Sequence, residues 1–505
     1  MDRRTFNKSL LAAGWAASFC SPSLLAATAR AATKITGDIA AITRTGGDTT
    51  ISKAALKELQ AVLRGPLLLP GNAEYETTRK VWNGMIDKKP GLIVRCTGAA
   101  DVIEAVNFAR DFDLLVAVRG GGHSISGKSV CEGGIMIDLS PMSWCTVDPV
   151  TQTARLGAGS VLGLLDHESQ RFGLATPAGT VSHTGAAGLT LGGGHGRLSR
   201  SFGLTCDNLK SVDIVTADGR FLRASAEENQ DLYWGVRGGG GNFGVVTTFE
   251  YNLHKVGPTV YGGTLMYSLA DARDVLKFYA EYTQETPREL AMDAFMLAPP
   301  SGKGMLAISP CFIGDLDKGN ALLQPLRDFR KPKVDQSGPM LYNTIQTGAD
   351  GGTAPGKLYY NKSGLMTALS NDFIDSLVAR LETAHEQADP GVTSSCVIQH
   401  LGGAVADVAP GDTAYVHRDA HYDSVIMSAW TNPEHTAENT TWLRESYATA
   451  MQPHTIGLYI NHAVDSDDTI ADQRFRSNYE RLVTLKNKYD PANLFHLNPN
   501  VTPTV

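Results

Sequence analysis

Apolar residues follow two rhythms along the first half of the chain. Continuous short runs at 92–96 and 114–118 read as buried strands, while Val102, Ala105, Val106 and Ala109 recur at helical spacing within 97–112. Strand, helix and strand in that order predict a βαβ unit. Residues 51–71 predict a helix followed by a Pro-bounded loop. Short β-like runs follow at 134–139, 144–148 and 153–159, a helix at 161–172, a strand running into a hairpin turn at 212–220, and another at 245–251.

After Gly257-Pro258 the pattern changes. Strands are predicted at 261–267, 292–297, 305–312 and 425–430, with helices at 271–284, 371–387 and 436–451. This is an α+β arrangement built on an antiparallel sheet. The Gly- and Pro-rich stretch 331–357 reads as a loop able to lie over a site. Residues 457–462 look strand-like and 471–488 helical, and there is no internal repeat.

Glycine punctuates this pattern in three places. The first is Arg119-Gly120-Gly121-Gly122-His123-Ser124, directly after a predicted strand. The second, Gly185 to Arg200, contains Gly188, Gly192, Gly193 and His195; the third runs from Gly235 to Val246. Three glycines in a row allow a sharp turn and a close backbone approach to a bulky ligand. Their N–H groups can form an anion-binding nest, with Arg119 adding a charge beside it. On residues alone, a tight turn carrying a solvated histidine explains the first cluster equally well. No cluster is a dinucleotide fingerprint, which needs G-x-G-x-x-G between a strand and a helix and an acidic residue about twenty positions on.

Composition narrows the class. The 505 residues call for two large domains, and 42% hydrophobic with 19% charged residues reads as soluble and globular. A formal charge of −7 without a basic block argues against nucleic acid and anionic membrane as partners. Arg3-Arg4-Thr5-Phe6-Asn7-Lys8, an apolar stretch at 10–19 and an Ala-rich end predict a twin-arginine signal peptide over 1–32. The mature protein would then be periplasmic or secreted, exported folded by the twin-arginine machinery, with no membrane span. Beyond Cys20 of the leader, the cysteines at 96, 131, 145, 206, 311 and 396 form no Cys-x-x-Cys pair and show no metal-ligand spacing, so buried free thiols and no metal are expected.

Taken together, RGGGHS (119–124), IDLS (137–140), GLTLGGGHGRLSRSFGLTCDN (188–208) and WGVRGGGGNFGVV (234–246) resemble the FAD-linked oxidases of the vanillyl-alcohol oxidase and p-cresol methylhydroxylase superfamily, in its berberine-bridge-enzyme-like branch. The resemblance covers about 90–256 and resumes at 457–461 and 489–503. It implies a two-lobed PCMH-type FAD-binding domain (86–257), a substrate domain with an antiparallel sheet and helices (258–455), and a C-terminal segment (456–505) returning to the first domain. The histidine that ends RGGGH is, in such proteins, joined through its ring to the flavin 8α-methyl carbon; His123 matches it. Some members add a cysteinyl bond shortly after a Pro-Ala-Gly turn, but Val181 stands there, so a single covalent link is expected.

The resemblance makes Arg119, Gly120, Gly121, Gly122, Ser124, Gly185, Gly188, Gly192, Gly193 and Val246 candidates to hold FAD. His195, Asn208 and Asn498 either reach the flavin or brace its loops. Tyr459 resembles the tyrosine of a C-terminal Tyr-x-Asn motif that serves as base in some members, with Asn461 to orient it; the alternative is a tyrosine that only packs. A phenol doing this near neutrality needs its pKa lowered. His462 stands where many relatives have an aromatic residue. His417 and Arg418 resemble a segment lining the substrate side, and also read as solvated loop residues. Ala186 falls near the position gating oxygen, and a small residue there favours an oxidase. The expected reaction is hydride transfer from a C–H next to O or N of a small alcohol, sugar or amine to flavin N5, with O2 returning H2O2. A dehydrogenase using another acceptor and a non-redox flavin-binding protein are the alternatives.

Overall fold

The computed structural model of the protein describes residues 33–299, 303–384, 391–464 and 474–505. The predicted leader lies outside them. In the first lobe the βαβ unit forms with one strand interposed. Strands β1 (Leu67–Leu68), β2 (Leu92–Arg95), β3 (Val116–Arg119) and β4 (Ile135–Asp138) pair in the order β1-β2-β4-β3, with β4 parallel to both β2 and β3. Helix α1 (Ala99–Asp111) buries Val102, Ala105, Val106 and Ala109, the positions its period selects. Asp101, itself buried, accepts from the N–H groups of Arg64 (2.8 Å), Gly65 (3.1 Å) and Thr97 (2.8 Å). Its charge sits where the helix dipole favours an anion.

The second lobe is an antiparallel sheet of β5 (Cys145–Asp148), β6 (Thr153–Gly157), β7 (Leu209–Val215), β8 (Phe221–Ser225) and β9 (Val245–Asn252), ordered β8-β7-β9-β6-β5. Helices α2 (Leu162–Gln170) and α3 (Ala186–Leu191) connect its strands. The other domain carries a sheet whose main strands are β10 (Leu265–Ser268), β11 (Leu290–Ala298), β12 (Met305–Phe312), β13 (Val334–Asp335), β14 (Leu358–Met366), β15 (Thr393–His400) and β16 (Tyr422–Trp430), ordered β13-β10-β12-β11-β15-β16-β14. Among the helices covering it are α4 (Ala272–Tyr282) and α6 (Asn371–Glu382); the shorter α5 (Tyr342–Gln346) lies between them in sequence. Ser370 caps α6, which buries Phe373, Ile374, Leu377, Val378 and Leu381, each worth about 1.5–3 kcal/mol of burial.

Several expectations need correction. Strands β14 and β15 were not anticipated, because Asn361, Ser363, Ser394, Ser395 and Gln399 interrupt their apolar rhythm; all five are buried. Residues 457–462 do not form a strand: Gly457 makes one bridge to Leu365, and Ile460–His462 is a 3-10 turn. The stretch 331–357 is not a plain loop, since it contains β13, α5 and the turn Asp350–Thr353. The six described cysteines are unpaired, and no described helix is long and apolar enough to cross a membrane.

The end of the chain packs back into the first domain's core through Leu482, Leu485 and Tyr489 of α7 (Tyr479–Tyr489). A buried ammonium fixes it there. Lys486 donates to Asp490 (2.7 Å) and to the carbonyls of Asn242 and Phe495 (both 2.9 Å), so its three donors are all satisfied. Across the domain junction, Arg200 is buried and donates to the carbonyls of Leu290 (2.9 Å) and Leu401 (2.7 Å).

A less complete contact joins α2 to α5. Asp166 is buried and receives a 3.3 Å hydrogen bond from Gln346, while the Tyr342 hydroxyl nearby has no partner. Burial, only partly opposed by Gln346, pushes the Asp166 carboxyl up to about 7. A carboxyl whose folded pKa is raised costs stability progressively as pH climbs from its unfolded value, about 4, through its folded one. Asp166→Asn should therefore gain about 3 kcal/mol more stability, relative to the wild type, at pH 8 than at pH 4.5. Urea unfolding at the two pH values measures this; equal effects at both would contradict it.

Candidate active site

The three glycine clusters converge on one cavity of about 450 Å³ between the two domains. Gly120 to Ser124, Gly185, Gly188, His195, Val246, Tyr459, Asn461, His462 and Asn498 all line it. Backbone packs on backbone in its wall. A Cβ on Gly121 would lie 2.4 Å from the Cα of Gly185, and one on Gly185 would lie 2.6 Å from the nitrogen of Gly121. No side chain fits at either place, which is the physical content of those two glycines. Gly122 adds a left-handed φ of +72°.

His123 is held by rings, not by a polar partner. Trp82 stacks on it at 4.5 Å, Tyr359 stacks on Trp82 at 3.9 Å, and His183 lies 5.1 Å away on tilted planes. Trp82 is itself fixed, its backbone N–H donating to Gly122 (2.8 Å) and its indole to the carbonyl of Thr353 (2.7 Å). His123 Nε2 is buried without a hydrogen-bond partner. Burial, with His183 alongside, pushes the imidazole down to about 4. A neutral ring with a free lone pair is the form that can bond to carbon.

The substrate-domain sheet presents Asn361, Val397, Gln399, Val425 and Met427 to the same cavity. Their spacing of two within β15 and β16 puts each pair on one face. Tyr459 is buried, and its hydroxyl oxygen accepts from Gly194 N–H (3.0 Å) and from Asn461 Nδ2 (2.7 Å), which also donates to Leu189 (3.0 Å). Gly192 leaves the space Asn461 occupies: a Cβ there would fall 2.1 Å from its Oδ1.

Not every predicted residue reaches the cavity. The Arg119 guanidinium folds back beneath the turn to the Thr78 carbonyl, leaving its Nε buried without a partner. Gly193, at φ +118°, abuts the Tyr415 ring. Asn208 braces its loop through the carbonyls of Phe202 and Leu204 (both 2.8 Å) and through His254 (2.6 Å). His417 and Arg418 are neither solvated nor lining. His417 bonds the carbonyl of Arg474 at 2.9 Å, and Arg418 forks onto Asp207 at 2.7 Å through both nitrogens. The phenol of Tyr459 moves opposite to the expected direction. Burial raises it above the ordinary value, more than the Asn461 and Gly194 donors lower it.

Sequence reading missed Trp82, Lys128 and Asp423. Lys128 lines the cavity, donates to the Asn498 carbonyl (3.0 Å), and is pushed down by burial to about 8. Asp423 carried a usable signal, an acid two positions before Val425 in strand rhythm, but the predicted strand started too late. It joins His195 and His462, remote in sequence, into one cluster.

Compared with known proteins, the chain matches the "FAD binding domain" family model over residues 90–225 and the "Berberine and berberine like" model over 459–502. It is 33% identical over 448 residues to an FAD-linked oxidoreductase of Dictyostelium discoideum, covering 87% of this chain and 95% of that one. The chain belongs to the berberine-bridge-enzyme-like FAD-linked oxidoreductases. It is also 27% identical over 456 residues to the (R)-6-hydroxynicotine oxidase of Paenarthrobacter nicotinovorans, covering 87% of this chain and 97% of that protein. Its fold matches the xylooligosaccharide oxidase of Myceliophthora thermophila, solved with xylobiose, with a TM-score of 0.78 at 24% identity over 89% of this chain and 100% of that one.

FAD suits what the cavity offers: glycine walls that a Cβ would fill, an unpartnered imidazole nitrogen, and the unpartnered, buried Oδ1 of Asn498. Gly121→Val and Gly185→Val should each cut the flavin bound per polypeptide at least tenfold, read from visible absorbance of the purified protein. Full flavin occupancy in either variant would contradict the backbone-contact account.

Proposed function

We propose that this FAD-linked oxidoreductase is an exported oxidase that carries its flavin on a single histidyl bond and oxidises a small alcohol, sugar or amine, with O2 as the electron acceptor. The observation that carries this reading is the convergence on one cavity of the stacked, desolvated His123 and the polar cluster of Tyr459, Asn461 and His462. FAD, when bound, accepts a hydride from the substrate C–H.

The chain's own residues supply the rest. His123 tethers the cofactor, and the glycine runs let backbone N–H groups approach it. No cysteine stands at Val181, which supports one tether and not two. The apolar Val397, Val425 and Met427 exclude water above the reacting carbon, while Asn361 and Gln399 offer amides to substrate hydroxyl or amine groups. The buried Ala186 and the cavity-lining Ala187 keep the path to the ring small-walled, which supports oxygen as acceptor. The substrate classes rest on the oxidases of hydroxynicotine and xylooligosaccharide that the chain resembles. Periplasmic or secreted location rests on the twin-arginine motif at Arg3-Arg4.

The test is anaerobic mixing of the purified holoprotein with polyols, oligosaccharides and secondary amines, followed by air. At least one class should bleach the flavin absorbance, and air should restore it with one H2O2 per turnover. Bleaching that only an artificial acceptor reverses would make the protein a dehydrogenase, and no bleaching by any class would remove the redox reading.

A further inference from the structure

Asp423 is wholly buried, and two imidazoles converge on one of its oxygens. His195 Nε2 lies 3.0 Å from Oδ2, and His462 Nδ1 lies 2.9 Å from the same atom. The His195 contact is a well-formed hydrogen bond; that of His462 is an ion-pair distance too far off the ring N–H direction to count as one. The three come from different parts of the fold, the second glycine cluster, β16 and the turn after Tyr459, so the cluster exists only when both domains are assembled.

We propose that His462 is the proton acceptor of the oxidation, with Asp423 as the anion that holds it and stabilises it once protonated, and His195 as a positioning residue fixing the carboxylate. This rests on the redox reading above. His462 lines the cavity with 26% of its side chain exposed, whereas Asp423 shows 0% and His195 2%. His195 also touches the cavity and the carboxylate, but His462 is the imidazole open enough to meet a substrate while contacting the buried negative charge. Burial would raise the Asp423 carboxyl, but His462 and His195 outweigh it and hold it well below the ordinary carboxylate range. A carboxylate that stays charged in a water-poor site favours an imidazolium beside it, the product of proton uptake.

Tyr459 is the worse acceptor. Its oxygen already takes two N–H donors, and burial moves its phenol upward. Among the described residues, the titratable groups facing His462 are Asp423 from β16, His195 from the glycine loop (rings 5.9 Å apart), Tyr459 from its own segment (4.9 Å), and His123 from the turn after β3. Asn361 of β14 donates to the His462 carbonyl (3.3 Å) and so fixes its backbone.

The substrate O–H or N–H bond breaks and its proton passes to a His462 ring nitrogen. The hydrogen of the adjacent C–H leaves with both bonding electrons for the oxidised flavin that the FAD-linked activity supplies. A C=O or C=N bond forms, the carbon is oxidised by two electrons, and His462 later returns its proton to solvent through the cavity.

The test uses the holoprotein and the substrate that bleaches the wild type fastest. His462→Gln should slow anaerobic bleaching at pH 7 by about 10²–10³-fold, within the usual range for a lost general base. It should also abolish the acid limb of the pH profile, with flavin content and melting temperature retained. Tyr459→Phe should lose less and keep that limb. As a readout independent of turnover, ¹⁵N-histidine NMR should show the His462 and His195 ring signals both moving in Asp423→Asn, since both rings contact that carboxylate. An acid limb that survives in His462→Gln, or disappears only in Tyr459→Phe, overturns the assignment, as do histidine ring signals unmoved in Asp423→Asn. A limb removed by EDTA and restored by a divalent cation would overturn it in favour of a metal site. A wild type that no substrate bleaches would defeat the redox reading itself, an outcome distinct from all of these.

Discussion

The contact between Gly121 and Gly185 is the constraint on which the rest depends. Two loops from different lobes meet there with no room for a Cβ on either. That contact sets the distance between the parallel sheet, which delivers His123, and α3, which begins at Ala186 and leads into the second glycine cluster. Every later placement follows from it. Leu191, at the end of α3, accepts the N–H groups of Gly238 (3.1 Å) and Gly240 (2.9 Å), so the third cluster is hung from the second. Lys486 then fastens the C-terminal helix to Asn242, and the turn bearing Tyr459, Asn461 and His462 reaches the cavity from a segment that otherwise has little regular structure.

The two walls of the cavity are built by different physics. On the His123 side, aromatic rings stack and the imidazole is desolvated, so it is kept neutral. On the opposite side, a buried carboxylate is held charged by imidazoles that would otherwise be expensive to bury with it. In the function proposed above, the His123 side carries the cofactor and the Asp423 side handles a proton. An oxidation that removes a hydride and a proton from one substrate needs both functions at one site. Linking the walls are residues that join the domains, among them Arg200 to Leu290 and Leu401, and Asn83, whose side chain donates to Ile125 (2.8 Å) and Tyr359 (3.0 Å).

Much of this was legible in the residues. The βαβ unit follows from local periodicity and the glycine clusters from motifs whose chemistry lies in the backbone; His123 and the Tyr-x-Asn pair were marked by the family resemblance, and the pair sits on a turn where a strand was expected. What was not legible lies where burial reverses the usual meaning of a polar residue. Strands β14 and β15 carry Asn361, Ser363 and Gln399 inward, so their sequence looks like loop. Asp423 looks like a surface acid until β16 pairs Gln399 with it and closes the row of cavity residues. Lys486 reads as a surface residue like the exposed Lys488 two positions on, although its ammonium is enclosed by Asp490 and two carbonyls. Arg119 erred the other way: its place beside the glycines suggested an anion partner, but the sharp turn at Gly122 brings the guanidinium back under the loop.

The central claim is that His123, and no second residue, carries the flavin. Trypsin cuts after Arg119 and Lys128, releasing Gly120 to Lys128 as one peptide. After denaturation and digestion of the purified protein, mass spectrometry should find that peptide heavier by one flavin, the mass on His123 and absent from the peptide containing Val181. Unmodified peptide with all flavin released into the denaturing solvent would contradict the account.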